Sequence, residues 1–279
     1  MKRLFLNLFS LSLVVFCLNQ AVAQESESIT DLINSIPSPV ELSALIKSQD
    51  ASYQSSLLNN PKKVGNYTTS YDRALNLGIY ATDLGFASLY GRTADALDYL
   101  GAVKDLADDL SIGQFLDEDA IRDAATASDV DQLLLSSTQS LEKVNKQLQR
   151  NGREHLSLLF VVGSWLEGLH LATSTYKEAG NDQLKERIGE QKLALQQIMK
   201  AMKMYEDKRG FKGLILDLEQ LETAYNNVKI VTTDGKSTTK VVDGEAVVTG
   251  GGSNIINVSH DDVLSITSLV SSIRKKHVR

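Results

Sequence analysis

Three stretches of the chain carry apolar residues at every third or fourth position, with charged residues between them. This spacing places the apolar residues on one face of a helix and the charged residues on the other. Short glycine-containing turns separate the stretches, and short connections make consecutive helices antiparallel neighbours. The pattern therefore predicts a mainly α protein, a multi-helix antiparallel bundle over residues 24–228. The three stretches are 130–148, 184–205 and 211–228.

Two further helices, predicted at residues 74–90 and 156–175, carry very few charges. Asp83 is the single acid of the first, and Glu167 and His170 are the ionisable residues of the second. A helix that is apolar on nearly all sides is buried on nearly all sides, so these two should form the centre of the bundle. Membrane insertion is the competing interpretation, but neither helix reaches the ~20 uninterrupted apolar residues that a span needs.

The two central helices resemble each other at a constant offset of 85 residues, as from Gly78 to Gly163. This similarity raises the hypothesis of an internal duplication, in which each half contributes one central helix. Small residues also recur four positions apart in both helices, which lets a partner backbone approach closely. The matched residues are Gly78, Tyr80, Leu84, Phe86, Ala87 and Ser88 with Gly163, Trp165, Leu169, Leu171, Ala172 and Thr173, and the small-residue rows are Ala74, Gly78, Thr82 and Ser164, Gly168, Ala172.

After residue 228 the period of the pattern changes from that of a helix to that of a strand. Residues 229–233 and 239–242 are rich in β-branched side chains and flank Asp234-Gly235, a strong hairpin signal. We therefore expect a small β-hairpin within an insertion over residues 229–258.

A final helix is predicted over residues 260–277, in a C-terminal segment (259–279) that packs on the bundle. Ser259 can cap its first turn. Acidic residues follow in that turn and basic residues fill the last one, an order that suits the helix dipole.

The first 23 residues have the features of a cleavable signal peptide. Lys2 and Arg3 precede an apolar stretch, and Ala21-Val22-Ala23 supplies the small residues that a signal peptidase requires. Cleavage is therefore predicted between Ala23 and Gln24. An uncleaved anchor is the alternative, but the apolar stretch is too short for a comfortable span.

Cys17 is the only cysteine of the chain, and a lipid anchor on it is a second alternative. The residue before a lipidated cysteine must be small, and here it is Phe16, which argues for release at Ala23. Cleavage there removes the cysteine, so the exported chain can form no disulfide and depends on packing for its stability.

The charge and the motifs exclude several functional classes. The formal net charge is -6, and loss of Lys2 and Arg3 makes it more negative, which argues against general nucleic-acid binding. The chain contains neither a phosphate-binding Gly-x-x-x-x-Gly-Lys-Ser/Thr motif nor a Gly-x-Ser-x-Gly nucleophile elbow.

Glu167 and His170 form a Glu-x-x-His element on a central helix, so both side chains face the same way. Carboxylate-bridged di-iron bundles use this element twice, with further glutamates, but here it occurs once. The alternative is a purely structural role, in which a buried, hydrogen-bonded Glu–His pair fixes the helix in register. Asp83, if the central helices pack together, could join the pair in a polar cluster, which is either a ligand site or a structural network.

The segments 75–84, LNLGIYATDL, and 162–169, VGSWLEGL, resemble segments of uncharacterised exported helical proteins of the Bacteroidetes. The resemblance covers most of the exported chain. It implies a location in the periplasm or envelope of a Gram-negative bacterium, and it supplies no activity and no functional residues.

Taken together, these patterns predict a non-enzymatic envelope protein, a helical scaffold that binds a partner protein or a small ligand. The alternative is a metal- or small-ligand-binding protein centred on Glu167, His170 and Asp83. No other cofactor, no nucleic-acid partner and no membrane span in the exported chain are predicted.

Overall fold

The computed structural model describes residues 28–36, 39–49, 51–232, 238–242, 245–249 and 254–278. The predicted signal peptide, Cys17, the cleavage site at Ala23 and Gln24, and the Asp234-Gly235 turn lie outside these residues. The predicted class is confirmed, because the described chain is mainly helical and its helices pack against one another. The helices are α1 (Ile29–Ser35), α2 (Pro39–Ser48), α3 (Ser70–Leu89), α4 (Thr93–Asp109), α5 (Glu118–Thr126), α6 (Val130–Arg150), α7 (Glu154–Ala179), α8 (Asp182–Lys203), α9 (Phe211–Ala224) and α10 (His260–His277), and the strands are β1 (Lys229–Thr232), β2 (Thr238–Val242), β3 (Glu245–Thr249) and β4 (Asn254–Asn257).

Capping side chains fix where many of these helices begin. A side-chain oxygen that accepts from a free backbone N–H in the first turn satisfies a donor that has no partner within the helix. At the start of α10, Ser259 and Asp262 cap each other's backbone reciprocally, which confirms the predicted start. The capping residues are Ser28, Thr69, Asp117, Asp129, Asn181 and Ser259.

The two central helices, α3 and α7, share the most extensive interface of the described fold. Gly78 makes this possible, since a Cβ there would lie 2.0 Å from the carbonyl oxygen of Phe160. Gly163 is the second close approach, with a Cβ that would lie 2.0 Å from the carbonyl oxygen of Leu75. Both contacts are with backbone, so the crossing is too close to admit any side chain at either position.

Hydroxyl groups join the two helices at the same crossing. Ser164 Oγ donates to the carbonyl oxygen of Gly78 at 3.0 Å, and Thr82 Oγ1 donates to that of Ser164 at 3.1 Å. The predicted small-residue row is confirmed at Gly78, Thr82 and Ser164, while Gly163 was not part of it. Gly78 and Gly163, the pair matched at the offset of 85, make equivalent contacts. The duplication itself stays a prediction.

Helix α7 lies in the core along nearly its whole length. Residues Glu154–Glu178 are long and apolar enough to cross a membrane, and 94% of the most apolar window is buried inside the protein. The helices α6 to α9, which the three short turns connect, contact one another in chain order as predicted. The helices around α3 and α7 enclose this central pair.

The strand pairing differs from the predicted one. β1 pairs with β4 and β2 pairs with β3, both antiparallel. The small hairpin predicted near the C-terminus is confirmed, but it joins β2 and β3, and the expected pairing of residues 229–233 with 239–242 is wrong. A second Asp-Gly dipeptide, Asp243-Gly244, separates β2 from β3 by two residues, the length that favours a tight hairpin. β1 therefore pairs with β4. Ile256 of β4 packs against Gly189 of α8.

Candidate functional site

Helices α3, α7 and α10 bring four ionisable side chains together in the core. Asp83 of α3 and Glu167 of α7 are fully buried, and His170 of α7 is 8% exposed. The fourth is Arg274 of α10, which lies against Glu167. The structure thus brings the three predicted site residues together. It adds Arg274, one of the basic residues in the last turn of α10.

Glu167 and Arg274 form a two-pronged ion pair. Arg274 Nε donates to Glu167 Oε2, and its Nη2 donates to Oε1 at 2.7 Å. The two side chains are 0% and 12% exposed, respectively, so water screens their charges very little. The matched fork geometry and the burial together make this the strongest electrostatic contact of the cluster.

The surroundings of Asp83 disfavour its charged form. Burial, and then the neighbouring Glu167 charge, raise the pKa of Asp83 well above its usual value, and Arg274 opposes this only in part. Its Oδ2 accepts the backbone N–H of Asn59 at 3.0 Å. Its Oδ1 has no hydrogen-bond partner within the described part of the chain.

His170 is neutral. Burial lowers the pKa of His170, and although Glu167 raises it, Arg274 lowers it further. Its Nε2 lies 3.3 Å from the carbonyl oxygen of Leu57, so we assign the ring proton to Nε2. The Nδ1 atom has no hydrogen-bond partner among the described residues.

This arrangement bears on both hypotheses for Glu167 and His170. They do not hydrogen-bond each other, because Glu167 bonds to Arg274 and His170 to the chain at Leu57, so the expected register-fixing pair is wrong. Both oxygens of Glu167 are occupied by a cation that a metal ion would have to displace. No group of three or more His, Cys, Asp or Glu residues in the described ranges is placed to hold a metal ion. The pairing of Glu167 with Arg274 favours a structural network over a metal site.

Asp83→Asn should remove a pH dependence from the stability of the fold. Above about 3.8, the usual pKa of the carboxyl, the unfolded chain releases a proton that the folded protein keeps, so rising pH favours unfolding until the raised pKa of the folded state is passed. An amide oxygen can still accept the Asn59 N–H, and the amide has no carboxyl proton to release. We expect the variant to gain on the wild type by up to about 1.4 kcal/mol per pH unit in that window.

The test is urea unfolding of both proteins from about pH 5 to about pH 8. Asp83→Ala is the control, because it leaves the Asn59 N–H without its acceptor and should be destabilised at every pH. Parallel stability curves for Asp83→Asn and the wild type would show that Asp83 is ionised in the folded protein.

A separate cleft of 380 Å³ lies between α6 and the central helices, with α1 and α2 along one side. Its volume is within the range of about 300–1,000 Å³ that small-molecule sites occupy. Neither Asp83, Glu167 nor His170 lines it. The lining residues are Ile33, Asn34, Ile36, Ser43, Ala81, Thr82, Gly85, Leu89, Ser137, Thr138, Leu141, Glu142, Asn145, Lys146, Gln149, Phe160, Val161 and Ser164.

Most of the surface that lines the cleft is apolar, and its charged residues, Glu142 and Lys146, come from α6. Gly85 faces open space, since a Cβ there would meet no described atom within 4 Å. Ser137, which is 1% exposed, places a hydroxyl in this lining that has no hydrogen-bond partner in the described chain. A buried hydroxyl without a partner is costly, so this atom is a ready contact for a polar group of a ligand. The exposed side chains of Glu142 and Lys146 lie at the α6 side.

No protein-family model, curated protein or solved structure significantly matches this chain. The resemblance to Bacteroidetes proteins therefore stays a prediction. The cleft and the buried cluster are the features of the molecule that bear on its function.

Proposed function

We propose that the protein is an exported, non-enzymatic helical protein that binds a small, largely apolar ligand in the cleft beside α6. Export rests on the signal-peptide features of residues 1–23 and on the resemblance to envelope proteins. The resemblance favours the periplasm or envelope of a Gram-negative bacterium, and Phe16 favours release over lipidation at Cys17. The cleft is the single observation that carries the binding proposal.

Three properties of the cleft support ligand binding over simple packing imperfection. Its volume of 380 Å³ is larger than the gap left by one poorly packed side chain, and most of the surface area that lines it is apolar. Ser137 supplies one buried polar atom in need of a partner. Small-molecule sites combine these features, an apolar cavity with a few placed polar groups.

The cleft also explains a feature of α3 that packing leaves unexplained. Glycine inside a helix costs about 1 kcal/mol relative to alanine. Gly78 is required by the crossing with α7, but Gly85 meets no described neighbour that would exclude a side chain. A glycine at this position instead keeps the floor of the cleft open, which a binding function requires.

Gly85→Leu should abolish binding while leaving the fold intact. A Cβ at this position meets no described atom within 4 Å, and Gly85 lines the cleft, so the added side chain competes with a ligand and not with the core. Binding of a neutral apolar fluorophore, N-phenyl-1-naphthylamine, is measured by titration, and we expect a loss of affinity of at least about tenfold, or 1.4 kcal/mol.

Gly101→Leu is the matched control. Gly101 is an exposed glycine inside α4 that also faces open space in the described structure, and it does not line the cleft. This variant should bind the fluorophore as the wild type does. Equal affinities of all three proteins, or no binding by the wild type, would refute the cleft as the binding site.

A further inference from the structure

A row of basic side chains lies on the exposed side of α6 next to the cleft. Lys143, Lys146 and Arg150 are three and four residues apart, so they are neighbours on the helix surface. With the turn that precedes α5 they line a second hollow of 440 Å³. The other residues of this basic hollow are Gln114, Phe115, Leu116, Asp117 and Gln147.

Lys146 lines both the cleft and the basic hollow. The two spaces therefore meet at this side chain, apolar on one side and basic on the other. A lysine stem packs along apolar surface while its ammonium group stays in water. Lys146 is thus suited to contact a ligand whose apolar part is inside the cleft and whose charged part is outside.

The acids nearby do not cancel this basic character. Glu142 approaches Lys146 at 3.4 Å, but both side chains are more than 60% exposed, 62% and 64% respectively, so the pair is weak. Asp117 accepts the backbone N–H of Ala120 and caps α5. Three basic residues face these two acids, in a protein whose formal net charge is -6.

We infer that the ligand is an anionic amphiphile, an alkyl or similarly apolar body with a carboxylate, phosphate or sulfate head. This inference rests on the proposed function and names its ligand class. The apolar lining cannot solvate a charge, so the head must remain at the mouth of the cleft. The mouth is where Lys146 lies, with Lys143 and Arg150 within the adjoining hollow. The apolar body fills the space over Gly85.

A matched pair of probes tests the charge separately from the apolar body. Decanoate and decanol share one chain length and differ in the head, and their affinities for the purified protein are measured by calorimetry at low and high salt. We expect decanoate to bind about three- to tenfold more tightly at low salt, since one exposed ionic contact contributes that much. Added salt should reduce this advantage and leave decanol unchanged.

Lys146→Met keeps the apolar stem and removes the charge. It should lower decanoate affinity to that of decanol without changing decanol affinity. Lys185→Met is the control, because Lys185 also forms an ion pair within its own helix, with Asp182 of α8, and lines neither hollow. It should leave both affinities unchanged.

The outcomes separate the two proposals. Equal binding of decanoate and decanol would overturn the anionic ligand class and leave the cleft as a neutral site. Binding of neither, together with no effect of Gly85→Leu on the fluorophore, would overturn both proposals. Sedimentation with phosphatidylglycerol vesicles, if it occurred without any binding of free decanoate, would likewise overturn the inference, since the anionic lipid surface and not the cleft would then be the target.

Discussion

Gly78→Ala is expected to lower the free energy of unfolding by about 3 kcal/mol or more, the upper part of the range for overpacked cores. The new methyl carbon would lie 2.0 Å from the carbonyl oxygen of Phe160 and 2.7 Å from the amide nitrogen of Ser164. Both atoms belong to the backbone of α7, which cannot rotate aside as a side chain can. Relief requires the two central helices to separate, and this would weaken the largest interface of the described fold.

Gly163→Ala should have a similar effect, because its methyl carbon would lie 2.0 Å from the carbonyl oxygen of Leu75. Gly101→Ala is the control, the same change inside α4 at an exposed position, where it should stabilise the protein by up to about 1 kcal/mol through helix propensity. Urea unfolding monitored by circular dichroism measures all three. If Gly78→Ala matched Gly101→Ala, the close crossing of α3 and α7 would be incorrect.

Arg274→Met should cost about 3–5 kcal/mol of folding free energy, the typical loss when one partner of a buried ion pair is removed. The change leaves the Glu167 carboxylate fully buried without its cation, directly beside Asp83. Glu167 is 0% exposed, so water cannot replace the lost partner. The C-terminal helix α10 should detach first, because the pair joins it to α7.

Lys276→Met is the matched control on the same helix. Lys276 pairs with Asp217, and the two side chains are 51% and 12% exposed, respectively. Water therefore reaches this pair more easily than it reaches Glu167 and Arg274, so the loss should be smaller than for Arg274→Met. The double variant Glu167→Gln with Arg274→Met should recover most of the stability, since no uncompensated charge remains in the core. Equal losses in Arg274→Met and Lys276→Met would contradict a buried ion pair.

The spacing of residues in α10 contains a signal that Arg274 is buried. Ile266, Val270 and Arg274 follow one another at a spacing of four, so Arg274 continues the buried face of α10. Lys275 and Lys276 follow immediately, and the three bases together favoured helix termination. A buried acid on α7 requires a cation, but sequence spacing cannot show which helix supplies it.

The strand region illustrates the same limit. Two Asp-Gly dipeptides, at 234–235 and 243–244, offer two hairpins. Local propensity does not choose between them, because register depends on which partner strand buries the apolar side chains. The choice left β1 to pair with β4, next to the start of α10.

The sequence by itself determined the helical class, the positions of the amphipathic helices, and the burial of α3 and α7. These follow from the period of apolar residues and from capping side chains, which act within one element. It also indicated that Asp83, Glu167 and His170 lie in the core. Only the tertiary structure decided that Arg274 neutralises Glu167, that Gly163 forms the second close contact, and that the open space lies beside α6. These depend on how separate helices meet, and such contacts between distant parts of the chain leave no periodic trace in the sequence.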